Sequence, residues 1–192
     1  MVIVENKFTF VHIRKTGGTS VRTWIKTNFK KHTNVNNWHI TLEEATAQGY
    51  KNFGWKFCVV RNTFDRLFSH YKFQKDRHYF KLQSLDYKDD WEILKTRTHV
   101  FEQDFEYWYD RQIDKGHYFT QIQYSRDCDH IIKFERLASN FRYIQWLTNC
   151  NDPLPFLNNT PYKRYKDMYT NRLISKVKKD YAKELEIFKY TF

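Results

Sequence analysis

Lys15-Thr16-Gly17-Gly18-Thr19-Ser20 puts a cation, two glycines and three hydroxyls into six consecutive residues. That mixture suits a phosphate-like anion. Glycines let backbone amides approach a ligand closely, a helix N-terminus adds free N–H groups and positive potential, and Lys15 adds a point charge. Thr16, Thr19 and Ser20 add hydroxyl donors. A plain glycine turn capped by Thr or Ser would use the same residues. The run is not a Walker A loop, G-x-x-x-x-G-K-S/T, because Lys15 precedes both glycines and no glycine lies upstream. A second pair of candidates is Arg61 and Ser69, eight positions apart. Arg61 offers a planar donor fork matched to phosphate, and Ser69 a hydroxyl. Considered alone, Arg61 could equally pair with Asp65, and Ser69 could be an ordinary helix residue. No His, Cys and Asp cluster has metal-ligand spacing.

These residues need rigid elements to aim them. Lys7–Ile13 is a β-branched and aromatic run, predicted as a strand. Thr19–Phe29 follows as a helix, with Val21, Trp24, Ile25 and Phe29 on one face. Thr41-Leu42-Glu43-Glu44 has the form of a capping box and predicts a short helix. Phe57–Arg61 is a second strand, running into a helix from about Phe64 to Phe73. A helix is expected from about Asp90 to Trp108, capped by Asp89 and Glu92, with Trp91, Leu94, Phe101, Phe105 and Trp108 on one face. His130–Phe134 is a third strand, and Leu137, Phe141, Ile144 and Leu147 mark the next helix. Pro153 and Pro155 break the chain before a last helix from about Asn171 to Phe188. Strand–helix alternation predicts an α/β fold with a central, mainly parallel sheet flanked by helices. Its ligand site belongs at the carboxyl ends of the strands.

The chain has 192 residues, and no repeat or linker divides them, so residues 1–192 read as one domain. Aromatic residues make up 19%, which excludes disorder, and only 5 Gly and 3 Pro exclude collagen-like or low-complexity chains. With 33 Lys+Arg against 22 Asp+Glu the net charge is +11, which asks for an anionic partner without choosing one. Cys58, Cys128 and Cys150 form an odd set without metal spacing, and Cys58 lies in an apolar run as a buried thiol. No signal peptide or membrane span is evident, so a soluble, cytoplasmic protein with reduced thiols is expected. Asn158-Asn159-Thr160 fits the glycosylation pattern but carries no weight without secretion.

The first loop resembles the 5′-phosphosulfate loop of sulfotransferases, P-K-T-G-G-T-S, with Arg14 in place of the proline. The segment Phe57 to Tyr71 resembles that family's 3′-phosphate motif, F-x-x-V-R-N-P-aromatic-D-R-L-x-S-x-Y, with Thr63 in place of the proline. Phe134-Glu135-Arg136-Leu137 is similar to the family's F-E-x-L, and Leu154-Pro155-Phe156-Leu157-Asn158 to its L-P-H-x-N. Tyr181 to Phe192 is similar to its Y-x-x-D-x-x-x-F-x-Y-x-F ending, so the likeness spans nearly the whole chain. It is greatest to the small carbohydrate-type sulfotransferases.

The resemblance implies a P-loop-like, three-layer fold and a donor, PAPS (3′-phosphoadenosine 5′-phosphosulfate), with no metal. Lys15, Thr16, Gly17, Gly18, Thr19 and Ser20 would hold its 5′-phosphosulfate, and Arg61 with Ser69 its 3′-phosphate. The acceptor would be a hydroxyl on a glycan or other small molecule. Lys15 would also act electrostatically in catalysis, and His39, in the H-x-T element His39-Ile40-Thr41, would be the base. An imidazole suits that task because its ordinary pKa lies near neutrality. Glu43 or Glu44 could serve instead, as carboxylates do in some sulfotransferases. His12 and His70 read as packing or supporting groups. Lys163 and Arg164 could cover the nucleotide or bind acceptor sulfates, and Gln121 and Gln123 could touch the acceptor.

Two other classes compete. A nucleotide kinase or NTPase would need a lysine after its last glycine and a carboxylate at a strand end, whereas Arg61 stands there. A basic nucleic-acid-binding domain is suggested by +11, but zinc-finger spacing, RNP1 and KH loops are all missing.

Overall fold

The structure is a computed structural model that describes residues 1–83, 99, 104–116, 120–157 and 164–192. Most of the expected 90–108 helix therefore lies outside the described residues, with Trp91, Leu94, Phe101 and the proposed caps Asp89 and Glu92. Asn158-Asn159-Thr160 and Lys163 lie outside them too. The chain divides into two compact units, Met1–Asn62 with Thr120–Pro161, and Thr63–Phe119 with Tyr162–Phe192.

The first unit is α/β. Its strands are β1 (Val2–Val4), β2 (Phe8–Val11), β3 (Thr33–Asn34), β4 (Trp55–Val60) and β5 (His130–Lys133), in the sheet order β3-β1-β2-β4-β5. β2 with β4 and β4 with β5 are parallel, with Phe10 opposite Phe57 and Val59 opposite Ile132. β1 pairs antiparallel with both β2 and β3. The sheet is thus mixed and open, not mainly parallel as expected. The cause is the short Glu5-Asn6-Lys7 turn, where Asn6 takes φ 57° and Lys7 N–H donates to Val4 O at 3.0 Å. A chain reversal this tight can only make an antiparallel pair, whereas a parallel pair needs a long crossover.

Alternate residues Phe8 and Phe10, Phe57 and Val59, and Ile132 point to one face of the sheet. There they pack against Val21, Trp24 and Ile25 of α1 (Gly18–Asn28) and Leu137, Phe141 and Ile144 of α6 (Leu137–Thr148). Trp24 Nε1 donates to Asp152 O at 2.7 Å, fastening α1 to the segment after α6. Two shorter helices complete the unit, α2 (Leu42–Ala47) and α5 (Ile122–Ser125). α2 opens with the expected capping box: Glu44 N–H donates to Thr41 Oγ1 at 3.1 Å, and Thr41 N–H to Glu44 Oε2 at 2.7 Å.

The second unit is helical in its described part. α3 (Thr63–Gln83) runs ten residues past its expected end. α4 (Phe105–Asp114) begins at an Asp104 cap, and α7 (Asn171–Asp180) and α8 (Ala182–Phe188) close the chain. The single helix expected over 171–188 is broken at Tyr181, which has φ −111° and ψ 21°. Phe64, Leu67, Phe68 and Tyr71 form a core with Phe105, Trp108, Tyr109, Leu173, Val177 and Tyr181. Beside it, Glu184 is buried and accepts from Thr63 Oγ1 at 2.7 Å and from Arg66 Nη2 at 3.5 Å. Thr63, which stands where the motif it resembles has proline, thus has a partner of its own.

Among the described residues no helix is long and apolar enough to cross a membrane, and no cluster of three metal-ligating side chains occurs. All three cysteines are free thiols.

Candidate anion-binding site

β2 ends at Val11, and the chain turns through Arg14 to Gly17 before α1 starts. Two left-handed residues make that turn, Lys15 at φ 65° and Gly17 at φ 81°. A Cβ on Gly17 would stand 3.0 Å from the Phe134 ring and 3.1 Å from Leu137. A Cβ on Gly18 would lie 1.9 Å from His12 Nε2, so only glycine fits beneath that imidazole. Ser20 N–H bonds Gly17 O at 3.1 Å, tightening the first turn. The remaining amides at the start of α1 lack intrahelical acceptors, as at any helix N-terminus, and the dipole adds positive potential there.

The hydroxyls divide by task. Thr16, fully buried, donates from Oγ1 to Ile13 O at 2.9 Å and so holds the loop itself. Ser20 Oγ accepts from Leu157 N–H at 3.2 Å. Thr19 is exposed at the mouth of the turn.

β4 delivers Arg61 to the same place. Its Nη1 donates to Lys15 O at 3.1 Å, and its guanidinium lies 4.3 Å from the centre of the Phe134 ring. The Arg61 backbone is held by Gln121, whose Oε1 accepts from Arg61 N–H at 2.8 Å and whose Nε2 donates to Arg61 O at 2.9 Å. Next in the chain, Asn62 N–H donates to Glu135 Oε1 at 2.7 Å. The carboxyl ends of β2, β4 and β5 therefore converge, one supplying Lys15 to Gly18, one Arg61, and one Phe134 and Glu135.

His39 reaches the loop through His12. Its Nδ1 lies 3.0 Å from His12 O, and the two imidazole centres are 4.4 Å apart. A carbonyl only accepts, so Nδ1 carries the hydrogen and Nε2 the lone pair. Burial, with the Arg14, α-amino and Arg22 charges acting the same way, lowers the His39 pKa from 6.5 to about 4, against an opposing pull from the bond to His12 O. His39 is therefore a neutral proton acceptor at neutral pH. Burial also pushes His12 well below its usual range, assisted by His39, the α-amino group, Arg22 and Arg14.

The two carboxylates proposed as alternative bases have other occupations. Glu44 caps α2, and Glu43 pairs with Arg126 Nη2 at 3.1 Å on the surface. Gln121 is fully buried, so it positions Arg61, while Gln123 is exposed on α5. In the second unit Ser69 is buried within α3, and His70 packs edge-on against Trp108 and bonds Gln74 at 3.0 Å. Arg164 is exposed ahead of a short 3-10 turn, Tyr165–Met168.

Four contributors escaped the sequence reading in these roles. Phe134 and Glu135 were visible as part of F-E-x-L, but their contacts to Gly17, Arg61 and Asn62 were not. Gln121 stands sixty residues from Arg61, and no local pattern marks it. Arg22 carries no signal in the sequence, yet it is buried.

Scans against protein-family models, curated protein sequences and solved structures found no match to the chain.

Proposed function

We propose that this chain is a PAPS-dependent sulfotransferase with a P-loop-like fold, acting on a hydroxyl acceptor of the carbohydrate class. One observation carries the reading: the Arg61 guanidinium donates to Lys15 O, which joins the two motifs that resemble the donor site. The residues fit a phosphosulfate. Gly17 and Gly18 leave the start of α1 without side chains, Lys15 flanks it, and Arg61 stands beside it on a clamped backbone.

When bound, the donor supplies an activated sulfuryl group and a phosphate leaving group. The protein's part is to position and to neutralise charge. The amides at the start of α1 and Lys15 bind and screen the 5′ end. Arg61 binds the 3′-phosphate, with Ser69 assigned to it on the sequence motif alone. His39 takes the acceptor's hydroxyl proton on Nε2, the ring being oriented by its Nδ1–H bond to His12 O. A bound anion beside Arg14 offsets that charge and so raises the His39 pKa.

Titration with 3′,5′-ADP tests the reading. Saturable binding is expected, with Arg61→Ala and Lys15→Ala each greatly weakened and His39→Ala unchanged. His39→Ala should then abolish ³⁵S transfer from labelled PAPS to whichever member of a glycan panel accepts it. Equal binding by wild type, Arg61→Ala and Lys15→Ala would sink the donor assignment. Full turnover by His39→Ala would remove the base.

A further inference from the structure

Arg22 is 8% exposed, yet no acidic side chain among the described residues pairs with it, and its Nε has no hydrogen-bond partner there. Its guanidinium lies flat over Trp38, 3.3 Å from the ring centre. Charged groups are seldom buried without a counter-charge. His12 repeats the pattern: it is 6% exposed, and its Nδ1 has no partner among the described residues.

The two orphaned groups adjoin. Gly18 and Arg22 are four residues apart and share a face of α1, and the His12 ring lies on Gly18. Trp38, under the guanidinium, is followed by His39, whose ring rests on His12. The other groups that bear on the two imidazoles are Arg14, a cation, and the α-amino group, whose pKa burial and then the Arg22 charge lower from 8.0 to about 5. Nothing anionic offsets this cluster among the groups that perturb it.

We infer that Arg22, His12 and His39 form a second anion site, one turn along α1 from the glycine loop, that takes a single compact oxyanion, carboxylate or sulfate. Arg22 Nε and the Nδ1 of His12 are the donors left for it, and the anion supplies the counter-charge that the fold omits. Trp38, 46% exposed, covers the guanidinium and is the side chain that gives way to admit it. The site flanks α1, whereas the nucleotide reading uses the loop at its N-terminus. The two are therefore separable by mutation.

The test uses sodium sulfate and sodium acetate at constant ionic strength, with calorimetry and the His39 imidazole signals in NMR as readouts. The Lys15→Ala/Arg61→Ala protein should still bind one sulfate, and the His39 midpoint should move up by about one unit on saturation. Adding Arg22→Gln should weaken that binding by about tenfold or more, while Arg22→Lys should recover part of it. His12→Asn serves as a second variant should Arg22→Gln unfold, with folding followed by circular dichroism. Tighter binding of acetate than sulfate would identify a carboxylate site, and the reverse a sulfate site. Loss of all sulfate binding in Lys15→Ala/Arg61→Ala, or binding indifferent to both Arg22→Gln and His12→Asn, would overturn the site. Because the measurement omits the nucleotide, failure of 3′,5′-ADP binding leaves this result standing, and the converse holds.

Discussion

Gln121 and Arg61 exchange two hydrogen bonds, Arg61 N–H to Gln121 Oε1 at 2.8 Å and Gln121 Nε2 to Arg61 O at 2.9 Å. β4 has ended one residue earlier, at Val60, so the glutamine amide stands in for a neighbouring strand. It extends the ladder by one residue, the residue that meets the glycine loop.

Gln121→Leu removes both bonds and leaves two buried backbone groups unsatisfied, a loss of about 2–4 kcal/mol. Urea unfolding should show it, and 3′,5′-ADP affinity should fall with it. Gln121→Glu keeps an acceptor for Arg61 N–H but lacks the donor, and should fall between Leu and wild type. A Leu variant as stable as wild type would refute the clamp.

Gly18→Ala drives a methyl into the His12 imidazole. Overpacking of this kind costs about 1–3 kcal/mol. The cost should shrink in a His12→Ala background, because the clash is with that ring alone among the closest contacts. A thermodynamic cycle over the four proteins measures the coupling. Additive losses would place the constraint elsewhere.

Acid should destabilise the protein through His12 and His39. In the unfolded chain the imidazole of His39 titrates near 6.5, and in the folded protein near 4. As pH falls below 6.5, only the unfolded chain gains the proton and the folded state loses ground, until the folded ring protonates near 4. His12, also lowered by burial, acts in the same direction. The stability difference between wild type and His39→Gln, read from denaturant melts, should therefore change across this window and stay flat above it. A flat difference throughout would mean that the folded pKa is not depressed.

Glu184 meets Thr63 and Arg66 with its own side chain and that of Arg66 both almost wholly buried. Removing one partner strands a buried charge, so Glu184→Ala should destabilise by about 3–5 kcal/mol. Glu184→Gln keeps an acceptor for the Thr63 hydroxyl and should cost less. Equal losses would show that shape, not charge and acceptor, matters there.

What the sequence disclosed follows from the range of the forces involved. α1, α2, β4 and α6 announce themselves through periodicity and caps, which are local. β1 has three residues and β3 has two, too short for any period to register, so the antiparallel edge escaped notice and the sheet read as mainly parallel. The break at Tyr181 was hidden because Leu173, Val177, Tyr181 and Leu185 keep a four-residue step across it. The end of α3 was set early because its pattern turns polar after Phe73. Within the candidate site the glycine loop and Arg61 were legible as motifs. Their mutual bond, the Gln121 clamp and the burial of Arg22 depend on residues far apart in the chain.

The contact from Arg61 to position 15 runs to a carbonyl, not to the lysine side chain. Through that bond Arg61 does not read which side chain stands there, only that the backbone can hold φ 65°. Asparagine and glycine enter that region most readily. Lys15→Asn is thus the substitution that erases the charge with the wiring intact, and position 15 becomes an adjustable dial on a fixed mount. Electrostatics and architecture, fused at most binding loops, can here be varied one at a time.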